Sequence, residues 1–425
     1  MAEAEVGFPP GFPWGTATSA HQVEGGNRND WWDWEQRPGK IWGGQKGGLA
    51  CDQYHRYPQD FARLQELGFN AQRFSLEWSR IEPEEGCFSE EALLHYRDVI
   101  DTCRSCGMEP FVTLHHFTNP LWVARRGGWD NPAVVDWFAR YAERVAKALA
   151  DRVVFWITVN GPLVFATQGY LVGIWPPGRR SLAATLRVTQ NMLKAHAAAY
   201  RELKATSPRA QVGVAKHLRP FDPARPGHRG DRWLARRLDR IFNRLFLDGM
   251  ESGQVDWPVS GWLRFGGRFL PELKGTQDFV GVNYYSRALV RLGPDLAAAA
   301  GQVPPPGAEV NSLGWEVYPE GLLRVLRQVA GYGKPIYITE NGICTEDDGQ
   351  RVRFIREHLR QVGRAIGEGI PVRGYFYWSS HDNFEWAEGY RARFGLIGVD
   401  FATQERTVRD SARFLGEVAR RNALL

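Results

Sequence analysis

The residue with the clearest chemical potential in this sequence is Glu340, which follows a short apolar run. The run, residues 335–339, is β-branched and aromatic, which is typical of a short buried strand. Asn341 and Gly342 come next and favour a turn, so the strand is predicted to end at Thr339. A carboxylate held rigidly at the end of a strand and facing a cleft suits a nucleophile. An acidic residue that merely begins a surface turn would have the same sequence.

Other amides, imidazoles, carboxylates and indoles also lie at the ends of apolar runs. These residues are His21, Gln22, Arg73, Glu77, Trp78, His115, His116, Asn160, Asn283, Tyr285, Trp378, Glu385 and Trp386. Such polar groups hydrogen-bond hydroxyls, and indole faces cover the apolar C–H faces of a pyranose ring. The residue types therefore favour a polyhydroxylated ligand. A satisfied hydrogen-bond network that caps the strand ends is the structural alternative.

Eight short apolar or β-branched runs must position these side chains. The predicted strands cover residues 14–19, 71–76, 110–115, 153–160, 211–216, 279–284, 336–339 and 374–379. Segments with helical spacing of apolar residues separate most of them, most clearly at 133–150. This alternation favours an α/β fold, a (β/α)8 TIM barrel, whose functional residues gather where the strands end. We predict a single (β/α)8 domain over residues 1–425, with its site at the C-terminal mouth of the strands.

Composition and charge exclude several functional classes. Hydrophobic residues make up 43% of the chain and charged residues 24%, and no apolar run reaches the length of a membrane span. The acidic N-terminus does not resemble a secretory signal. A net charge of +5 over 425 residues is mild, so we expect no nucleic-acid partner. Five cysteines without repeated spacing favour a reducing compartment, which we take to be the cytoplasm.

Metal, nucleotide and serine-nucleophile chemistry fit the sequence poorly. There is no H-E-x-x-H motif, and His115 and His116 are adjacent on a predicted strand, where they point to opposite faces. No phosphate-binding glycine loop opens a helix, and no serine lies in a nucleophile elbow. We therefore expect neither a metal nor a cofactor.

Ordered motifs along nearly the whole chain resemble family 1 of the glycoside hydrolases, the retaining β-glucosidases. The motifs are FPWGTATSAHQVEGG, RFSLEWSRI, TLHHFTNPLW, ITVNGP, GVNYYS, YITENG and WSSHDNFEWAEGYRARFGL. The resemblance implies a (β/α)8 barrel that hydrolyses or transfers terminal non-reducing β-D-glucosyl residues of β-glucosides or oligosaccharides. It implies a neutral sugar rather than a 6-phosphosugar, because of the Glu385-Trp386 pair. It does not separate glucose from galactose or fucose.

The resemblance also implies a role for each candidate residue. Glu340 corresponds to the nucleophile that forms a covalent glycosyl-enzyme. The positions around the hydroxyls of the non-reducing sugar correspond to Gln22, His116, Asn160, Glu385 and Trp386. The platform under that sugar corresponds to Trp378. The groups that contact the nucleophile, or lie in the same shell, correspond to Arg73, Tyr285 and Asn283.

One position departs from the family pattern. The family has a glutamate between the asparagine and the proline that end strand four, and here Gly161 stands there. Retaining hydrolysis uses two carboxyl groups about 5–5.5 Å apart, one that attacks and one that transfers protons. Proton transfer is typically worth 10²–10⁴-fold, so severely reduced activity is implied, least for leaving groups that need no proton. We also expect Gly161 to leave a small polar void open to water or an anion.

Three explanations of Gly161 are open at this point. A deliberate substitution, made to trap a sugar or to drive synthesis, fits the intact remainder of the site. A natural relative that binds sugar without turnover, a pseudoenzyme, is the second. The third is a natural variant with an external base, although the plant thioglucosidases that use one have glutamine at this position. The sequence gives no indication of oligomeric state.

Overall fold

The eight predicted strands close a parallel barrel in a computed structural model that describes residues 5–258, 264–293 and 303–424. The strands are β1 (Trp14–Ala17), β2 (Ala71–Ser75), β3 (Glu109–His115), β4 (Phe155–Asn160), β5 (Gln211–His217), β6 (Phe279–Tyr284), β7 (Ile336–Asn341) and β8 (Val372–Trp378). Each strand pairs with its neighbours in the chain, and β8 pairs with β1 to complete the ring. The predicted (β/α)8 barrel is therefore confirmed.

At least one helix follows every barrel strand. The helices are α1 (Gln53–Leu67), α2 (Glu90–Ser105), α3 (Val134–Leu149), α4 (Leu182–Thr206), α5 (Arg229–Leu238), α6 (Leu245–Ser252), α7 (Pro319–Ala330), α8 (Asp348–Gly367) and α9 (Asp410–Arg421). A π-helical segment, Asp239–Arg244, joins α5 to α6. In α3, Val134, Phe138, Tyr141 and Val145 form one buried stripe, as amphipathic spacing predicts. None of the described helices is both long and apolar enough to cross a membrane.

Short elements connect the barrel strands and the long helices. The short helices are Ala20–Val23, Asp30–Trp34, Trp78–Ile81, Leu121–Arg125 and Pro162–Ala166, and the single turns of 3₁₀ or π type are Trp42–Gly44, Gly128–Asp130, Thr167–Val172, Pro271–Leu273 and Trp386–Arg391. Two-stranded pairings join Val6–Gly7 to Ala423–Leu424, Phe221–Pro223 to Ala288–Val290, Gln254–Pro258 to Arg264–Phe269, and Ile397–Val399 to Arg406–Val408. Most of the short helices begin within a few residues of a barrel strand's C-terminal end.

Aromatic rings fill the interior of the barrel towards its N-terminal end. The rings of Phe111 and Phe155 stack with centroids 4.2 Å apart, and the ring of Phe376 lies 4.6 Å from that of Phe111. Tyr337 packs edge-on against Phe111 and Phe155. This packed layer leaves the opposite, C-terminal end as the place where the polar side chains of the strands gather.

Candidate active site

Glu340 is the second-last residue of β7, which ends at Asn341. The strand is two residues longer than predicted, so the expected end at Thr339 is wrong. The reason is that the Asn341 amide donates to the Tyr284 carbonyl at 2.9 Å and accepts from the Tyr375 hydroxyl at 2.8 Å. These cross-strand bonds hold Asn341 in the sheet despite its turn preference. Glu340 is 5% exposed at this position.

Two donors hold the carboxylate of Glu340. The Nη1 atom of Arg73 donates to Oε1 at 2.7 Å, and the Tyr285 hydroxyl donates to Oε2 at 2.6 Å. Burial raises the pKa of Glu340 above its ordinary value, while Arg73, Tyr285 and Asn283 oppose that rise. Burial and the charge of Glu340 raise the pKa of Tyr285 well above 10, so the phenol stays a donor. The carboxylate is thereby oriented and stabilised in its charged form.

Asn160, at the end of β4, links this carboxylate to two further predicted residues. Its Oδ1 atom accepts from Nη2 of Arg73 at 2.7 Å and from Nδ2 of Asn283 at 2.9 Å. Its Nδ2 atom lies 3.0 Å from Nε2 of His116. An amide donor there requires Nε2 to be an acceptor, which makes His116 neutral with its proton on Nδ1. Burial and Arg73 lower the pKa of His116 well below its usual value, in agreement with a neutral ring.

A second polar cluster joins the ends of β1 and β8. The Nε2 atom of Gln22 donates to Oε2 of Glu385 at 2.9 Å and to Oδ1 of Asn383 at 3.0 Å. The Ser19 hydroxyl donates to Oε1 of Gln22 at 2.7 Å and so fixes the orientation of the side-chain amide. Burial raises the pKa of Glu385 to about 8; the bond from Gln22 opposes the rise and the charge of Glu340 adds to it. The two carboxyl groups are therefore close enough to influence one another.

Two indole rings lie beside both clusters. The ring of His116 is nearly parallel to that of Trp378, at 22° with centroids 5.6 Å apart, and to that of Trp386, at 15° and 6.0 Å. Both tryptophans are buried. The structure thus brings together all the residues to which the family resemblance gives a role, with Gly161 beside them on the chain.

Four other candidates lie outside this cluster and have partners of their own. The His115 Nε2 atom contacts Asn119, and its ring packs against the outer aromatic layer formed by Trp129, Phe138 and Phe165. The predicted opposite orientation of His115 and His116 is confirmed. Glu77 accepts bonds from Asn29, Ser79 and Thr118, and the Trp78 indole donates to Glu82. His21 contacts Asn29 and stacks on the far side of Trp386. These residues support the walls of the site.

Gly161 follows the last residue of β4 and caps the short helix Pro162–Ala166. Its backbone is left-handed, with φ 49° and ψ 47°. A Cβ atom at this position would lie 2.9 Å from Cζ and 3.1 Å from Cε1 of Phe117, and 3.5 Å from Cβ of Val164. The expectation of a polar void is corrected here, because the ring of Phe117 covers the direction that a side chain would take.

Two residues of the site were missed from the sequence. His217 is the last residue of β5, one position beyond the predicted end of that strand, and its ring centroid lies 5.7 Å from that of Tyr285. Asn383 fixes Gln22 and itself donates to the Ser379 hydroxyl at 3.0 Å. The sequence contained a signal for each residue. His217 follows the end of a predicted strand, and Asn383 lies in the same motif as Glu385.

Comparison with known proteins places this geometry in a family. The profile of Glycosyl hydrolase family 1 matches residues 4–424. The chain is 38% identical to Beta-glucosidase A of Thermotoga maritima, over 98% of each chain, and 38% identical to Thermostable beta-glucosidase B of Thermobispora bispora, over 100% of this chain and 93% of the relative.

Comparison with solved structures leads to the same family. A beta-glycosidase from Pyrococcus horikoshii is 42% identical with a TM-score of 0.91, covering 99% of this chain and 97% of that one. The beta-glucosidase from Thermotoga maritima in complex with glucoimidazole is 36% identical with a TM-score of 0.92, covering 98% of this chain and 100% of that one. With a matching profile and relatives of this similarity over the full length, the chain belongs to glycosyl hydrolase family 1.

Proposed function

We propose that this chain is a retaining β-glucosidase that forms a covalent glycosyl-enzyme on Glu340 and lacks its proton-transferring group at Gly161. The observation that carries the proposal is the pair of donors, Arg73 and Tyr285, on the two oxygens of the Glu340 carboxylate. The relatives named as beta-glucosidases, and the related structures in complex with glucoimidazole and deoxynojirimycin, support the substrate class.

The first chemical step is attack by the Glu340 carboxylate on the anomeric carbon of the sugar. A C–O bond forms to Glu340 as the bond to the aglycone oxygen breaks, and that oxygen leaves with the electron pair. Arg73 keeps the attacking carboxylate ionised against the effect of burial, and the Tyr285 hydroxyl fixes its second oxygen. A water oxygen then bonds to the anomeric carbon as the bond to Glu340 breaks, which regenerates the carboxylate. The proton of that water passes to solvent, because Gly161 provides no base, and the sugar leaves with retained configuration.

The sugar is held by the polar clusters and the indoles beside them. The Nδ1 atom of His116 is buried without a partner in the described part of the chain, and a ligand hydroxyl would satisfy it. Gln22 and Glu385 form the second set of hydroxyl partners, and Trp378 covers the apolar face of the ring. The Glu385-Trp386 pair, which the family resemblance associates with a neutral sugar rather than a 6-phosphosugar, supports a neutral hexose as the proposed ligand.

The missing carboxyl group at Gly161 limits which substrates react. An alkoxide leaving group needs a proton as the bond breaks, and proton transfer is typically worth 10²–10⁴-fold. Nitrophenolate and fluoride leave without one. The proposed activity is therefore largest with activated aryl glucosides and glycosyl fluorides.

A sugar-binding protein without turnover is the second candidate function. One observation favours it: the ring of Phe117 lies where the first atoms of an acid/base side chain would stand, so the surroundings of Gly161 are apolar. Binding by Gln22, His116 and Glu385 would be retained in such a protein.

We also propose that the chain forms a single domain and functions in a reducing, cytoplasmic environment. One barrel carries both polar clusters, which supports a single domain. The cysteines Cys51, Cys87, Cys103, Cys106 and Cys344 are free, which supports a reducing, cytoplasmic environment.

Covalent trapping tests the function directly. The chain is incubated with 2,4-dinitrophenyl 2-deoxy-2-fluoro-β-D-glucoside, whose leaving group needs no proton, and is then analysed by intact-mass and peptide mass spectrometry. We expect a stoichiometric burst of dinitrophenolate and one fluoroglucosyl group on the peptide that contains Glu340. Glu340→Gln is the matched control and should stay unlabelled.

The result also separates the two candidate functions. No adduct, together with calorimetric binding of deoxynojirimycin, would establish the sugar-binding protein instead. An adduct on a different residue would remove Glu340 from the proposed role.

A further inference from the structure

His217 ends β5 beside Gly161, the position at which the family has its second carboxyl group. In the register of β5 and β6, His217 pairs with Asn283, whose side chain donates to Asn160 inside the site. Paired residues of neighbouring strands project from the same face of a sheet, so the imidazole also faces the site. The backbone N–H of Gly161 donates to the carbonyl of Ala215, two residues before His217, at 2.8 Å. The imidazole therefore lies on the side of the site that position 161 serves.

The ring of His217 packs against the tyrosine that orients the nucleophile. Its centroid lies 5.7 Å from that of Tyr285, whose hydroxyl donates to Oε2 of Glu340 at 2.6 Å. The side chain is half-buried, and neither ring nitrogen has a hydrogen-bond partner among the residues that the structure describes. Polar atoms in such surroundings usually have a partner, so these nitrogens are available to a water molecule in the site.

Two positive charges beside His217 keep its imidazole neutral. The Nζ atom of Lys216 and the guanidinium carbon of Arg219 lie 4.4 and 5.1 Å from the centroid of the Phe242 ring, which also packs against His217. Burial, Arg219 and Lys216 lower the pKa of His217 well below its ordinary value of 6.5. A neutral imidazole has one nitrogen with a free lone pair, so it can accept a proton but has no acidic proton for a leaving group. The ring suits a base and not an acid.

We propose that His217 is the base of the second chemical step, the hydrolysis of the glycosyl-enzyme. This inference rests on the proposed function, since it requires the ester on Glu340. The water oxygen bonds to the anomeric carbon while the water proton passes to the free lone pair of the imidazole. The C–O bond to Glu340 breaks and its electron pair returns to the carboxylate. The imidazolium then gives the proton to solvent, and the nearby cations favour that release.

The first step remains without an acid in this scheme. His217 supplies one of the two proton transfers that the family's second carboxyl group performs, and Gly161 still leaves the departing oxygen without a proton donor. Substrates with activated leaving groups therefore form the ester unaided and depend on His217 only for its hydrolysis.

Pre-steady-state and steady-state kinetics with 2,4-dinitrophenyl β-D-glucoside separate the two steps. Dinitrophenolate leaves without a proton, so its burst reports the attack by Glu340 and the steady state reports hydrolysis of the ester. The proteins are the parent chain, His217→Phe, which keeps a ring without a base, and His217→Gln, which keeps a polar side chain without a base. Each protein is measured in water and with sodium azide. The azide ion attacks the ester without losing a proton, so it needs no base.

We expect both variants to show the burst of the parent chain. Their steady-state turnover in water should fall by about 10²-fold, as loss of a general base predicts. At saturating azide the three proteins should turn over at the same rate, because no proton is then removed. Unchanged turnover in water for His217→Phe and His217→Gln would overturn the inference. A loss that persists at saturating azide would also overturn it, because a distorted site slows every nucleophile.

Failure of the proposed function would give a different result. If the parent chain shows neither a burst nor an adduct on Glu340, there is no ester to hydrolyse, and the inference fails with the function. A burst in all three proteins with equal hydrolysis would leave Glu340 as the nucleophile and remove only His217 from the mechanism.

Discussion

The Nη1 atom of Arg73 lies 2.7 Å from Oε1 of Glu340, and the two side chains are 0% and 6% exposed. Arg73 belongs to β2 and Glu340 to β7, strands that are not neighbours in the barrel, so this ion pair crosses its interior. A second bond, from Nη2 to Asn160, fixes the plane of the guanidinium. The position and the charge of Glu340 therefore depend on one buried arginine.

Replacement of Arg73 by glutamine should affect both folding and reaction. Removal of one partner of a buried pair leaves an uncompensated charge, so the free energy of unfolding should fall by about 3–5 kcal/mol. Burial would then raise the pKa of Glu340 further, and the pH below which the dinitrophenolate burst is lost should move upward. Urea unfolding and the pH profile of the burst measure the two effects. Arg73→Lys, which keeps the charge, should shift the profile less; an identical shift would contradict the electrostatic explanation.

Replacement of Tyr285 by phenylalanine removes the donor to the other oxygen of Glu340. Hydrogen bonds to charged groups contribute about 1.5–3 kcal/mol, so the rate of covalent trapping should fall by about 10- to 150-fold. Stopped-flow measurement of the burst gives the rate. Tyr284→Phe is the matched control, because the neighbouring hydroxyl donates to the Tyr318 carbonyl at 2.5 Å and not to the carboxylate. Equal losses in the two variants would show a general structural effect.

Introduction of glutamate at Gly161 should restore proton transfer at a cost in stability. A left-handed backbone costs a residue with a side chain roughly 1–2 kcal/mol, and the Phe117 ring must move by a few tenths of an ångström. Even so, hydrolysis of cellobiose should rise by about 10²–10⁴-fold in Gly161→Glu. Gly161→Gln has the same strain without the proton and should show no gain. Similar rates for both variants would rule out the assignment of this position.

The Phe117 ring gives a second way to test the space beside Gly161. Small anions such as azide or formate should restore turnover of an activated aryl β-glucoside, because they take the place of the missing carboxylate. Since the ring lies 2.9 Å from where a Cβ would stand, restoration should be greater in Phe117→Ala than in the parent chain. With azide the product should be the β-glucosyl azide, identified by proton NMR. The α-azide, or no restoration in either protein, would count against the proposed mechanism.

Sequence patterns predicted the barrel because strand and helix periodicities alternate eight times, and each pattern is local. Local patterns fail where distant residues decide the outcome. Asn341 and Gly342 favour a turn, but bonds from Asn341 to Tyr284 and Tyr375 keep β7 extended through Glu340. The surroundings of Gly161 depend in the same way on the ring of Phe117, which comes from the segment after β3. Residue identity gave no indication of where that ring lies.

Stability should depend on pH through Glu385, whose pKa is raised to about 8 by burial and, more weakly, by the charge of Glu340. Its ordinary value is 4.5, so between about pH 4.5 and 8 the folded chain binds a proton that the unfolded chain does not. Glu385 therefore contributes a decrease in the free energy of unfolding as pH rises through this window. Below about pH 6.5 the buried histidines, among them His21, His115 and His116, oppose it, because burial lowers their pKa values. Glu24 and Asp30, with pKa values raised to about 7 by burial, add a decrease of the same sign.

Replacement of Glu385 by glutamine isolates its share of that decrease. The amide cannot titrate, whereas Glu24 and Asp30 remain in both proteins. The free energy of unfolding, measured in urea at pH 5, 6.5 and 8, should fall less or rise more between pH 5 and 8 in Glu385→Gln than in the parent chain, by on the order of 1 kcal/mol. The two proteins should differ least near pH 5, where the Glu385 carboxyl is protonated in the folded chain. Parallel pH profiles of the two proteins would mean that Glu385 is already ionised beside Glu340, and that the proposed sugar site carries two negative charges at neutral pH.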